Sequence, residues 1–365
     1  MSKLSASVLA LLVCLSVTAQ EAVSPNGKIS VALKGGGYVI NYQDKAVLDI
    51  PVVGYGEVQS SSLSFSQRIS ADYQMLAGKR LHCVNEAQEY FADLGNGQRL
   101  VMRLYNDGVA FRYELSGLTD APLPQEHTTY LIPEGMKRWM QQWTEAYEGF
   151  FPLSTTYKVA PVPSFSGIFK SDEGYNNRWG YPMLLEPVDG VFALISEANI
   201  ERRQSASCLY NDGERFKVTP DKNELTVSGS WHSPWRTIII GRMADVVAST
   251  LITDVSEPCQ LADTSWIQPG VVSWVYWAYN HGSNDYTIIQ KYVDMAATLH
   301  LPYVLIDAEW DEMQNGKTVE DAVAYAKSKG VRPMIWYNSS VGWVDGAPGP
   351  KYRLNKSEDR EREVE

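Results

Sequence analysis

The chain has 365 residues, a formal net charge of -11 and a hydrophobic content of 44%, enough material for two or more domains with buried cores. The acidic balance argues against nucleic acid or an anionic membrane surface as a partner; it fits a neutral ligand and leaves carboxylates to spare for a hard cation. Aromatic content comes from 11 Trp and 21 Tyr against 9 Phe, a bias that suits carbohydrate surfaces and Tyr-rich β-sandwiches alike.

In chain order, residues 1–19 read as a signal peptide to be removed. Lys3 supplies the positive start, Val8 to Val17 an apolar stretch too short to span a bilayer, and Val17-Thr18-Ala19 small residues ahead of a cut before Gln20. A lipid-anchor reading of Cys14 is disfavoured by the bulk of Val13 before it. That leaves Cys83, Cys208 and Cys259, too sparse and scattered for a disulfide framework or a metal site, so they read as buried small side chains. No later segment has the length and apolarity of a membrane span.

Residues 20–250 read as β-structure. Ile29–Leu33, Gly37–Tyr42, Leu100–Tyr105, Val109–Leu115 and Val191–Ile195 alternate or run apolar for a strand's length. Pro25-Asn26-Gly27, Asn106-Asp107-Gly108, Asp189-Gly190 and Asn211-Asp212-Gly213 supply the turns. Many short strands without helical periodicity predict a large antiparallel sandwich. Residues 234–241 add one more buried strand, and Met243 to Leu251 suggests a short helix. Residues 251–269 then make a linker, with no strong period from Cys259 to Pro269.

From residue 270 the pattern changes. A β-branched and aromatic strand, Val271 to Trp277, is followed by a helix capped by Ser283 or Asn284 and ending near Leu299. The apolar run Tyr303–Ile306, a helix from Val319 to Lys329 stopped by Gly330, and a strand from Arg332 to Tyr337 complete the series. Three strands alternating with two helices begin a parallel β/α fold, doubly wound or barrel. A complete (β/α)8 TIM barrel takes about 250 residues, so residues 270–365 read as its first three βα units. The charged tail from Ser357 then reads as the start of a third helix, or else as a solvated terminus.

Chemistry in such folds sits at the C-terminal ends of the strands. Here those ends carry Trp277, Asp307, Glu309, Trp310, Trp336 and Asn338. Flat aromatic faces beside carboxylates are what a sugar ring and its hydroxyls need, although an aromatic there is as often packing. Asp307 and Glu309, two residues apart on one strand, do not flank a glycosidic bond from opposite sides, so they are not read as a catalytic pair. Asp307 is read instead as a sugar-hydroxyl partner or as an acceptor for neighbouring loop amides. Glu145 and Glu148 could face the site from a sandwich loop. The five His residues show no zinc spacing.

The residues resemble glycoside hydrolase family 97, bacterial α-glucosidases and α-galactosidases. Ser24-Pro-Asn-Gly-Lys, Tyr105-Asn-Asp-Gly-Val-Ala-Phe-Arg-Tyr, Ser196-Glu-Ala, Ser233-Pro-Trp-Arg, Asp263-Thr-Ser-Trp-Ile-Gln-Pro-Gly, Trp274-Val-Tyr-Trp and Tyr303-Val-Leu-Ile-Asp-Ala-Glu-Trp carry the likeness in order along the mature chain. The resemblance implies an N-terminal β-super-sandwich, a catalytic (β/α)8 barrel whose acid and partner carboxylate lie beyond Glu365, and an exo-acting, Ca2+-dependent enzyme of the periplasm or outer membrane. Its substrate would be an oligosaccharide or other α-glycoside. It makes Glu197 a calcium ligand; without it, Glu197 reads as a surface carboxylate at a strand end. One departure is Glu309, where the family pattern has a glycine before the Trp. The alternative function is a carbohydrate-binding protein, or a decayed one, that has lost catalysis; an open half-barrel is a poor self-contained module, which favours the enzyme.

Overall fold

The computed structural model describes residues 21–143, 150–158, 177–201, 203–220, 225–276, 278–279, 282–338, 350–352, 354 and 356–364. The expected signal segment with Cys14, together with Glu145, Glu148 and Trp277, lies outside the described residues. The chain divides into two compact units, residues 1–75 with 79–258, and residues 76–78 with 259–365.

The first unit is a sandwich of two antiparallel sheets, of 8 and 10 strands among the described residues. Each strand of the larger sheet sends alternate side chains to opposite faces. Leu100, Met102, Leu104, Val109, Phe111, Ile238 and Ile240 point into the core shared with Ile29, Ile40, Tyr130 and Phe216 of the smaller sheet. Their neighbours Val101, Tyr105, Ala110 and Ile239 point the other way, into a second apolar layer closed by Val246, Leu251 and Val255. The larger sheet is therefore covered on both faces.

The four turn signals each join antiparallel neighbours, as in the two-residue loop between Gln98–Tyr105 and Gly108–Pro122. Gly190, with φ +70°, supplies the left-handed backbone needed between Met183–Val188 and Val191–Ala198. Gly108 has a different reason for lacking a side chain: a Cβ would stand 2.4 Å from the Ile238 carbonyl oxygen. Hydrophobic patterning did not reveal the longest hairpin, Ser64–Gln74 with His82–Gly95. The first of those strands is exposed on most of its length: Phe65, Ile69, Ala71 and Tyr73 do alternate with polar residues, but Gln67 interrupts the row and only the last three are even half-buried.

Two boundaries differ from expectation. The single helix expected to end at Leu251 is two short ones, Met243–Ala248 and Leu251–Asp254, with Ser249 extended between them. Leu251 is buried in the sandwich's second layer, so the first part of the expected 251–269 linker belongs to the first unit.

In the second unit, Val272–Trp274, Tyr303–Ile306 and Arg332–Ile335 form a three-stranded parallel sheet. The helices Tyr286–Thr298 and Val319–Ser328 bury Ile289, Val293, Ala296, Ala322 and Ala326 against Val304 and Ile306. The opposite side of the sheet presents Trp274, Leu305 and Met334 in one register row, with Trp274 and Met334 exposed. The first helix is capped by Asp285, whose carboxylate accepts from the Thr287 amide at 2.8 Å, rather than by Ser283 or Asn284. Those two residues sit in a preceding 3-10 turn. The second helix begins in a capping box between Thr318 and Asp321. Ser357–Val364 is helical, as the charge alternation suggested.

Candidate active site

The parallel register sets Trp274 beside Leu305 and Ile306 beside Ile335. The residues that follow each strand therefore leave the sheet at one end, carrying Trp274 and Tyr276, Asp307 and Glu309, and Trp336 to Asn338.

Asp307 is 6% exposed. Its Oδ2 accepts from the Trp274 indole at 2.5 Å and its Oδ1 from the Ala308 amide at 2.6 Å. Its own amide donates to Ser283 Oγ at 2.8 Å. The carboxylate thus ties the end of the first strand to the end of the second, and holds the Trp274 ring in place. Trp274 stacks on Tyr276, with centroids 6.0 Å apart and planes 15° from parallel. Burial, then the charges of Asp307 and Glu309, raise the Tyr276 phenol above its usual pKa.

Glu309 stands in the left-handed region at φ +66°, and its Oε2 accepts from Asn284 Nδ2 at 3.1 Å. Trp310 donates through its indole to the Trp336 carbonyl at 2.8 Å and packs edge-on against Tyr337 at 5.4 Å. Its ring is partly buried against the helix–sheet core, which gives it a packing role. Asn338 is buried, and its backbone carbonyl accepts from the Leu354 amide at 2.9 Å. Tyr276, Ser283 and Asn284 belong to this cluster; sequence reasoning assigned Ser283 and Asn284 only a capping role and named none of the three as a site residue. Tyr276 carries a usable signal, since it lies two residues after Trp274.

Glu197, on Val191–Ala198 of the first unit, has a different set of partners. Its Oε1 accepts from the Ser207 amide at 2.9 Å, and its Oε2 accepts from Ser207 Oγ and Arg236 Nη1, each at 2.6 Å. Arg236 reaches on to Glu126 through Nε at 3.1 Å and Nη2 at 2.6 Å, and the Tyr55 hydroxyl donates to Glu126 at 2.9 Å. Arg236 is 1% exposed and Glu126 0%. Burial alone would lower the guanidinium pKa, but the charge and hydrogen bonds of Glu126 outweigh it and hold it well above its usual value. Glu197 is neither an ordinary surface carboxylate nor a ready-made calcium ligand: a cation at Oε2 would meet a guanidinium. Among the described residues no group of three or more His, Cys, Asp or Glu side chains could hold a metal, whereas calcium takes six to eight oxygens. These residues alone do not fit the ion.

The family model described as Glycosyl-hydrolase 97 N-terminal matches residues 22–258. A probable retaining alpha-galactosidase of Streptomyces bingchenggensis is 27% identical over 85% of the chain and 49% of its own length. A retaining alpha-galactosidase of Bacteroides thetaiotaomicron is 23% identical over 92% of the chain and 58% of its own length. The chain thus spans about half the length of the curated relatives it matches. Among solved structures, a beta-arabinopyranosidase superposes with a TM-score of 0.74 at 23% identity, covering 94% of this chain and 59% of that one. A glycoside hydrolase family 97 enzyme from Pseudoalteromonas sp. strain K8, in complex with acarbose, superposes with a TM-score of 0.68 at 19% identity, covering 86% and 53%. At these identities the structures establish a shared fold.

Proposed function

This chain belongs to glycoside hydrolase family 97, and we propose that it supplies the N-terminal β-domain and the first three βα units of a (β/α)8 catalytic barrel in an exo-acting α-glycosidase. α-Galactosides are the preferred class, with α-glucosides second. The observation that carries the reading is the strand-end cluster: an aromatic pair, Trp274 and Tyr276, next to Asp307 and Glu309 where three parallel strands finish. The names of the two curated relatives favour galactose and retention of configuration.

Retention requires two carboxyl groups about 5–5.5 Å apart on either side of the scissile bond. Asp307 does not serve as one of them, because both its oxygens are engaged in holding Trp274 and the Ala308 amide. Its work is to orient the aromatic surface on which the sugar lies. Acid and nucleophile would come from other strands of the barrel, supplied beyond residue 365. Calcium dependence is proposed only for a protein that adds further oxygen ligands to Glu197, and no step is assigned to the ion. We further propose export through residues 1–19 to the periplasm or outer membrane; the mature protein would then begin at Gln20. No helix among the described residues is long and apolar enough to cross a membrane.

The test is to assay the complete gene product on 4-nitrophenyl α-galactoside, α-glucoside and β-arabinopyranoside, following the product anomer by NMR. We expect turnover of the α-galactoside with α-galactose appearing first. Sugar binding without turnover of any of these would replace the enzyme by a binding protein. The 365-residue chain alone is expected to hydrolyse none of them.

A further inference from the structure

We propose that Glu309 sets substrate choice at the strand-end site: its carboxylate accepts a hydrogen bond from a hydroxyl of a neutral sugar and repels a sugar that carries a carboxylate of its own. The inference rests on the α-glycosidase reading above and names the substrate class of that site.

Three observations carry it. The backbone of Glu309, at φ +66°, lies where glycine is at ease and a Cβ is disfavoured. Strain of this kind concentrates at functional sites, and here it places a charged side chain at the end of the middle strand. Second, Glu309 is the more open of the two carboxylates. Asp307 is buried, while Glu309 is half-buried and reached by Asn284. Third, it is aimed. Asn284, from the segment after the first strand, donates to Oε2 at 3.1 Å. Asp307, two residues before Glu309, holds the Trp274 ring that stacks on Tyr276, so the strand end carries both carboxylates to the side of that surface. The raised Tyr276 phenol, from burial first and then from the two carboxylates, agrees with this.

Two carboxylates near one partly desolvated aromatic surface make a region of negative potential. A hydroxyl arriving there finds an acceptor. A uronate arriving there loses water and meets like charge, so the discrimination comes from repulsion as much as from attraction.

The test uses the complete enzyme and its Glu309→Gln and Glu309→Gly variants, measuring kcat/KM on 4-nitrophenyl α-galactoside and 4-nitrophenyl α-galacturonide together with Tm. We expect Glu309→Gln to raise the ratio of uronide to neutral turnover at least tenfold, and Glu309→Gly to keep or raise Tm by relieving the backbone. A Glu309→Gln ratio within twofold of wild type overturns the proposal. So does a loss of several degrees in Tm with both substrates falling equally, which would mark Glu309 as a structural latch. A wild-type enzyme inactive on every α-glycoside removes the functional reading along with this one; an active enzyme with an unmoved ratio removes this one alone.

Discussion

Arg236 sits between two glutamates inside the sandwich, and its neighbours explain its identity. Removing it would leave Glu126 and Glu197 as buried, unpaired charges, a change that typically costs about 3–5 kcal/mol. We therefore expect Arg236→Met to lower unfolding stability by about that amount, read from urea denaturation of residues 21–258. Glu197→Gln, which keeps an acceptor for Ser207, should cost less. Calcium added to the same domain should leave its Tm unchanged, since Oε2 of Glu197 already faces a guanidinium. A rise of several degrees at millimolar calcium would show that the ion displaces Arg236 and would restore the ligand reading. From sequence, the place of Glu197 at a strand end was legible. Its partners were not, because Arg236 is 39 residues away and Glu126 lies a further step across the fold. The same limit applies at Asp307: hydrogen bonding to a loop amide was foreseen, but the indole of Trp274 comes from 33 residues earlier.

At the scale of elements, turn chemistry was the most reliable guide, because Asn, Asp and Gly act through their own backbone. The loop at Asn106-Asp107 shows the point and allows a test. Gly108 opens a strand whose backbone runs against Ile238 and under Leu251. We expect Gly108→Ala to force these apart and to destabilise the sandwich by about 1–3 kcal/mol, measured by thermal or urea unfolding. The Ser64–Gln74 and His82–Gly95 hairpin is harder to read because the alternation of Ile69, Ala71 and Tyr73 is short, broken before it by Gln67, and its face is only half-buried. The cap of the first helix in the second unit was misplaced by one or two residues for a related reason. Ser283, Asn284 and Asp285 are all good caps, and only the 3-10 turn at Gly282–Asn284 settles which one begins the helix.

For the molecule as a whole, the change from period-two alternation to strand–helix alternation near residue 270 announced two kinds of structure. The first unit owns two apolar layers and the second its own core. Residues 21–258 expressed alone should therefore fold, and unfold in a single cooperative calorimetric transition. A broad or absent transition would mean that this unit depends on the remainder. The family was legible because its motifs lie at turns and strand ends, where backbone geometry and chemistry restrict residue choice more tightly than a core does.

The two-faced sheet of the first unit has a consequence for heredity. Ile238 and Ile239 are adjacent in the gene, yet they answer to different selective pressures, one to the layer shared with Phe111 and the other to the layer shared with Leu251. Changes at Ile238 and Ile239 should add in free energy, whereas changes at Ile238 and Phe111 should couple, as a double-mutant cycle would measure. Among descendants of this chain, compensation is expected to skip the next codon and arise on the strand alongside.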